Sequence, residues 1–200
     1  MRVIGLTGGI ACGKSTISAA LRELGAAIVD GDVLSRELTA PGGPALPAIR
    51  ERFGEGVFQS GGDLDRRALG AVIFGDDEAR AALDAIMQPM LLRLILKGIE
   101  DARASGAPLC VLDMPLLYEA GLDGLCDRVW CAWIPRETQL ERLISRDGFT
   151  RQEAEARLRS QLPADEKAAR ADVVIDTSGT IQYTRDKLPA LFDEECCPER

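Results

Sequence analysis

Arg2-Val3-Ile4-Gly5-Leu6-Thr7-Gly8-Gly9-Ile10-Ala11-Cys12-Gly13-Lys14-Ser15-Thr16 joins a short apolar run, a glycine-rich turn and the polar start of an amphipathic segment. Gly8 to Ser15 fits G-x-x-x-x-G-K-[ST], the spacing of a phosphate-binding loop. Each position has a physical role. The glycines permit a tight backbone that turns N–H groups towards phosphate oxygens. A helix starting near Lys14 adds its positive end. Lys14 reaches the β- and γ-phosphates of a nucleotide, and the Ser15 hydroxyl suits Mg²⁺. The run from Gly8, Gly9, Ile10, Ala11, Cys12 and Gly13 through Lys14, Ser15 and Thr16 is therefore the expected ATP-binding segment. Cys12 has two readings, a redox sensor in the loop or an occupant of a position where the side chain matters little.

Working outward, Ile17, Ala20, Leu21 and Leu24 fall on one helical face, and Gly25 ends that helix. Ala27–Val29 reads as a second strand. Residues 33–105 are helical by pattern, with breaks at Pro41-Gly42-Gly43, at Gly54–Gly62 and near Pro89. Leu109–Leu112, Val129–Ile134 and Val173–Ile175 read as further strands. Helices are expected over Pro135–Ser145, from Thr150 to about Gln161 and over Ile181–Phe192, the second opened by the capping-box spacing Thr150-x-x-Glu153. Strands alternating with helices predict an α/β fold, three layers around a mainly parallel sheet. The helical stretch without strands predicts a helical insertion. The expected organisation is one domain over 1–195: a core of 1–32, 106–135 and 170–195, a helical insertion 33–105, a further helical segment 136–165, and a tail 196–200.

Composition narrows the function classes. The net charge is −8, so the chain has no general attraction for nucleic acid or an anionic membrane. It contains no histidine, which removes histidine acid–base chemistry and histidine metal sites. The apolar run at Met1–Leu6 is too short for a signal peptide, and none approaches the roughly 20 residues of a spanning helix. A cytoplasmic location is expected, with the six cysteines as free thiols and Cys196-Cys197 in a frayed tail.

Asp30-Gly31-Asp32 ends the second strand. Read as extended chain, both carboxylates face the same side, near the phosphate loop. One would accept the proton of an attacking hydroxyl; the other would order a Mg²⁺-bound water or Lys14. The competing reading makes Asp32 the N-cap of the following helix. Leu109 to Asp113 is an apolar strand ending in an acid, the pattern that holds a Mg²⁺-bound water.

Between 136 and 159 every cation is arginine, the residue suited to forked phosphate contacts. Arg142 and Arg146 are four apart and share a helical face that could close over ATP. Interspersed acids leave a second reading, a solvated helix, and Arg151 is read as solvated.

At this point the sequence resembles the dephospho-coenzyme A kinases, from residue 3 to about 179. The resemblance is carried by Leu6-Thr7-Gly8-Gly9-Ile10 with Gly13-Lys14-Ser15-Thr16, by Asp30-Gly31-Asp32 with Arg36, and by Pro41 to Leu46. It continues through Phe53-Gly54, Leu64-Asp65-Arg66, Leu69, Phe74, Pro115 to Glu119, Gln139 to Leu143, Arg146-Asp147, Gln161, Glu166-Lys167 and Ala171 to Asp176. It implies phosphorylation of the ribose 3′-hydroxyl of dephospho-CoA by ATP. It also implies that 1–195 is a single kinase domain, with Asp32 as the base, 33–105 as a helical substrate-binding region, 136–165 as a lid around Arg142, and an acceptor site taking in Arg36, Leu116, Tyr118 and Glu119. The chain departs from the family pattern with Gln88-Pro89 in place of His-Pro and with Thr177 in place of Asn.

Rival readings are another small-molecule kinase, such as one for shikimate or a nucleotide, a regulatory GTPase, a nucleic-acid ATPase, and a non-catalytic ATP-binding module. No Asn-Lys-x-Asp is present for guanine. The acidic balance argues against nucleic acid, and intact Lys14, Asp32 and Arg142 argue against a silent module. The expected ligands are ATP, Mg²⁺ and dephospho-CoA, with no membrane, nucleic acid or obligate protein partner.

Overall fold

The computed structural model describes residues 1–197. In chain order the elements are β1 (Arg2–Gly8), α1 (Lys14–Glu23), β2 (Ala27–Asp30), α2 (Gly31–Leu38), α3 (Leu46–Phe53), α4 (Arg66–Ile73) and α5 (Asp77–Ala104). Then follow β3 (Leu109–Asp113), β4 (Arg128–Trp133), α6 (Arg136–Asp147), α7 (Arg151–Arg159), α8 (Ala164–Arg170), β5 (Val173–Asp176) and α9 (Ile181–Cys196). Two compact units result, one of residues 1–29 and 99–200, the other of 30–98. The sequence placed these divisions a few residues later.

The first unit is built on the sheet, in the order β2-β3-β1-β4-β5. β1 pairs parallel with β3 and with β4, and β4 parallel with β5. Buried on both faces, β1 and β3 carry apolar runs rather than an alternation. The chain leaves β1 for one side of the sheet and takes up β4 on the other. The carboxyl end of β1 therefore opens at a switch point, where open α/β sheets bind ligands. Ile4, Leu6, Ile17, Leu21, Val111, Trp130 and Leu188 pack as one core with α1 and α9. The buried Glu195 of α9 fastens the other end of the sheet. Its carboxylate accepts from Arg2 at 2.6 Å, Arg128 at 2.8 Å and the Trp130 indole at 3.4 Å.

The second unit is helical, with Leu38, Ala45, Leu46, Ile49, Val57, Leu64 and Leu69 buried. Asp65 caps α4 by accepting from Arg67 N and Ala68 N, both at 2.9 Å. The expected break near Pro89 is absent: α5 runs through it for 28 residues. Proline removes one intrahelical donor, and the buried Leu91 and Ile95 hold the following turns. Gln88 is exposed on this helix.

The sequence reading passed over α8. Its signals are present in the chain: Pro163 at the N-cap, Asp165 and Glu166 in the first turn, Lys167 and Arg170 in the last. The frayed tail also needs correction. Cys196 lies in α9 and packs against the core, and Cys197 is exposed. The rest of that segment lies outside the described residues.

Candidate active site

The loop between β1 and α1 is closed by Cys12 N donating to Gly9 O at 3.1 Å and Thr16 N to Gly13 O at 3.0 Å. Gly13 is the N-cap of α1 at φ 75°, a left-handed conformation that favours glycine, and no side chain caps the helix. With Thr16 N already paired, the other first-turn N–H groups are left to an external acceptor, the arrangement that binds anions at helix starts. Ala11 also adopts φ 63° without being glycine, which costs on the order of 1–3 kcal/mol and must be imposed by its surroundings. Ser15 is exposed beside Lys14. The Lys14 ammonium forms an ion pair with the Asp113 carboxylate at the end of β3, and Asp113 is itself buried at 4% exposure. The phosphate-loop lysine and the strand-end acid singled out in the sequence therefore meet.

Two helices cover the loop from above. Leu140 and Leu143 of α6 and Ala154 and Leu158 of α7 form an apolar cluster against which Ile10 and Ala11 pack. The Gln139 side chain donates to Ile10 O at 2.7 Å, and the Gln161 side chain accepts from Ile10 N at 3.2 Å. A Cβ at Gly9 would stand 2.4 Å from Gln139 Nε2 and would displace that side chain. Arg142 donates to Thr177 O at 2.8 Å. Thr177, buried, in turn donates from Oγ1 to Cys12 O at 2.7 Å. The cover and the strand-end loop after β5 are thereby tied to the phosphate loop from both sides.

Arg146 is exposed and forks onto Asp147 through two 2.8 Å hydrogen bonds, which hold the Asp147 carboxyl below its usual range. Arg151 is exposed but not merely solvated, as the sequence reading had it. It pairs with Glu137 of α6 at 3.1 Å and with Glu155 at 3.2 Å. The capping box is present, with Thr150 N donating to Glu153 at 2.9 Å.

The paired aspartates need correction. The chain turns helical at Gly31, so Asp32 lies in the first turn of α2 rather than in extended chain. The cap is Asp30, whose carboxylate accepts from Val33 N at 3.0 Å. Neither the shared strand face nor the capping role read for Asp32 holds. Asp30 is committed to the helix start, and the partner found for Lys14 is Asp113. Asp32 and Arg36 are exposed on α2, in the helical unit.

The segment after β3 is pinned by a charge that sequence reasoning gave no role. Lys167 of α8 is wholly buried. Its ammonium donates to Pro115 O at 2.5 Å and pairs with Glu119 at 2.8 Å. Thr7 Oγ1 shares Pro115 O at 2.9 Å, and Glu119 also accepts from Leu162 N at 3.0 Å. A buried cation needs such partners. Leu116 and Glu119 are exposed, whereas Tyr118 is buried with the Arg170 guanidinium 3.9 Å over its ring. Burial pushes the Tyr118 hydroxyl up to about 12. Burial likewise pushes the Cys12 thiol up to about 11, which makes it a poor redox sensor; the side chain is also packed in the core, so the position is not one where side chains matter little.

Gln139, Gln161 and Lys167 were visible in the sequence as points of family resemblance. No local signal assigned them work, because each acts on a segment distant in the chain. Thr177 was visible only as a departure.

Among the described residues no cluster of three acidic or thiol side chains could hold a metal ion unaided. This donor set still fits Mg²⁺, which keeps its waters and takes few protein oxygens beside nucleotide phosphates. Ser15 offers one such oxygen and Asp113 a carboxylate.

A parallel sheet opening at its central strand, an uncapped glycine-rich loop and a lysine held ready at that loop define a P-loop kinase. Comparison with known proteins sharpens this. Residues 2–183 match the dephospho-CoA kinase family, and the chain belongs to that family. A dephospho-CoA kinase of Symbiobacterium thermophilum is 48% identical over 196 residues, covering 98% of this chain and 82% of its relative. A solved protein of Thermus thermophilus superposes with a TM-score of 0.83 at 35% identity, covering 96% of this chain and 97% of that one. A shikimate kinase of Aquifex aeolicus shares the fold alone, with a TM-score of 0.51 at 16% identity over 98% of this chain and 99% of its own.

Proposed function

We propose that the protein transfers the γ-phosphoryl group of ATP to the ribose 3′-hydroxyl of dephospho-CoA, giving CoA and ADP. The observation that carries this reading is a family match spanning residues 2–183 in a chain whose Lys14 and Asp113 meet at the phosphate loop. On ATP binding, Lys14 exchanges its carboxylate for the β- and γ-phosphates, and the loop N–H groups surround the same oxygens. Ser15 would hold Mg²⁺, with Asp113 ordering its water; the ion supplies positive charge against the phosphates when bound. Asp32 takes the proton of the attacking hydroxyl. In a loose transition state an ordinary ionised carboxylate suffices for this. Arg142, with Arg146 further along α6, bears on the charge that spreads over the transferred group, and residues 136–165 act as the lid.

The acceptor site takes in Arg36, Leu116, Tyr118 and Glu119, with residues 33–105 as the helical substrate-binding region. Lys167 fixes the 115–119 part. The reaction proceeds in the cytoplasm without membrane, nucleic acid or an obligate protein partner. No helix among the described residues is long and apolar enough to cross a membrane.

The test is ATP consumption against a panel of dephospho-CoA, shikimate and nucleosides. Dephospho-CoA is expected to be the best acceptor. Turnover of another hydroxyl compound with none on dephospho-CoA would overturn the assignment.

A further inference from the structure

Ile10 has both of its backbone polar groups taken by glutamine side chains from the cover. Their orientations are fixed by chemistry: a backbone carbonyl only accepts and an N–H only donates, so Gln139 must present its NH₂ and Gln161 its oxygen. Gln139 is 4% exposed, so its hydrogen bond is shielded from water. Gln139 lies on α6 and Gln161 in the turn after α7, 129 and 151 residues along the chain from Ile10. On the far side of the turn, Thr177 holds Cys12 O at 2.7 Å. Between these fixed points lies Ala11, at φ 63°. Alanine does not settle there unaided. Its neighbours on both sides are what hold it.

We propose that Gln139 and Gln161 are positioning residues for the nucleotide: together they clamp Ile10 and thereby keep the phosphate loop in its binding conformation. The cover is on this view part of the loop's scaffold as well as a lid. The inference rests on the reading that the loop binds ATP, and it is independent of which acceptor is used.

The opposite polarity of the two hydrogen bonds supplies the test. Gln139→Glu and Gln161→Glu each add one negative charge beside the same residue. At 161 the carboxylate still accepts from Ile10 N; at 139 it confronts a carbonyl. Loss of a buried hydrogen-bond partner corresponds to roughly 5- to 150-fold in an equilibrium. ADP dissociation constants by titration calorimetry and the ATP and acceptor KM values would be measured. Gln139→Glu is expected to weaken ADP and raise the ATP KM at least about tenfold, with the acceptor KM within about twofold. Gln161→Leu should do the same, and Gln161→Glu should recover most of that loss. Should Gln139→Glu fail to fold, Gln139→Met removes the donor without the charge and carries the same expectation. Equal shifts in the two glutamate variants would mean that charge alone acts, and normal ADP binding by Gln161→Leu would mean an idle clamp. Either result overturns the proposal. Absence of nucleotide binding by the unaltered chain would instead overturn the ATP reading beneath it.

Discussion

The Lys14 ammonium is paired with the Asp113 carboxylate, joining the start of α1 to the end of β3 beneath the phosphate loop. The pair stores a cation where phosphate is to bind, and its carboxylate competes with that phosphate. Asp113→Asn removes the competitor but also the group proposed to order a metal-bound water. ATP in EDTA should then bind at least as tightly as to the native chain, and about two- to tenfold tighter at low salt. With Mg²⁺ present, kcat should fall about 10²-fold. Calorimetry and steady-state kinetics check the split. Parallel losses in both would show that Asp113 only supports the fold.

Asp30 caps α2, whereas Asp32 is the proposed base. Asp32→Asn keeps size and polarity but removes that proposed proton acceptor, so kcat should drop by about 10²–10⁴ with ATP affinity almost unchanged. Asp30→Ala removes the cap of α2, which should lower stability by about 1 kcal/mol in urea unfolding. Near-normal kcat in Asp32→Asn would remove the base from the mechanism.

Arg142 and Arg151 provide an internal comparison within the cover. Arg142→Lys keeps the charge but loses the planar fork that now reaches Thr177 O, and kcat should fall about 10²-fold or more. Arg151→Lys disturbs exposed pairs to Glu137 and Glu155, and kcat should stay within about twofold. Equal small effects at both positions would reduce the helix pair to an ordinary exposed face.

Thiol burial sets an alkaline limit. Burial raises Cys12 and Cys110 to about 11 and Cys126 and Cys131 to about 12, from an ordinary value of 9.0. The folded chain therefore holds protons that the unfolded chain releases above pH 9. Stability from these groups is complete below that value and is lost as pH rises through about 11 to 12. The urea midpoint should be lower at pH 10 than at pH 8. At pH 8 iodoacetamide should label the exposed Cys197 well before Cys12. Peptide mass spectrometry reads the order, and equally fast labelling of Cys12 would contradict its burial.

The phosphate loop was legible because its residues are contiguous and each has a local reason: left-handed Gly13, then Lys14 and Ser15. The alternation of strands and helices was legible for the same reason, through periodicity. Asp30-Gly31-Asp32 was misread because strand and helix meet there. Which aspartate caps depends on where the helix begins, and Val33 N decides it by geometry invisible in a three-residue string. The work of Gln139, Gln161 and Thr177 was hidden because hydrogen bonds spanning 129 to 165 residues leave no spacing to read. Arg151 looked solvated because one of its two partners, Glu137, belongs to another helix, and Pro89 looked like a stop because proline usually is one.

The central place of β1 has a consequence for how the chain is made. Arg2 pairs with Leu109 and Ile4 with Arg128, while β2, the next strand synthesised, lies on the far side of β3. The strand that carries the phosphate loop therefore leaves the ribosome long before either neighbour exists. At about 5–20 residues per second it waits several seconds as an apolar, unpaired segment, a window in which nascent chains are prone to misassembly or chaperone capture.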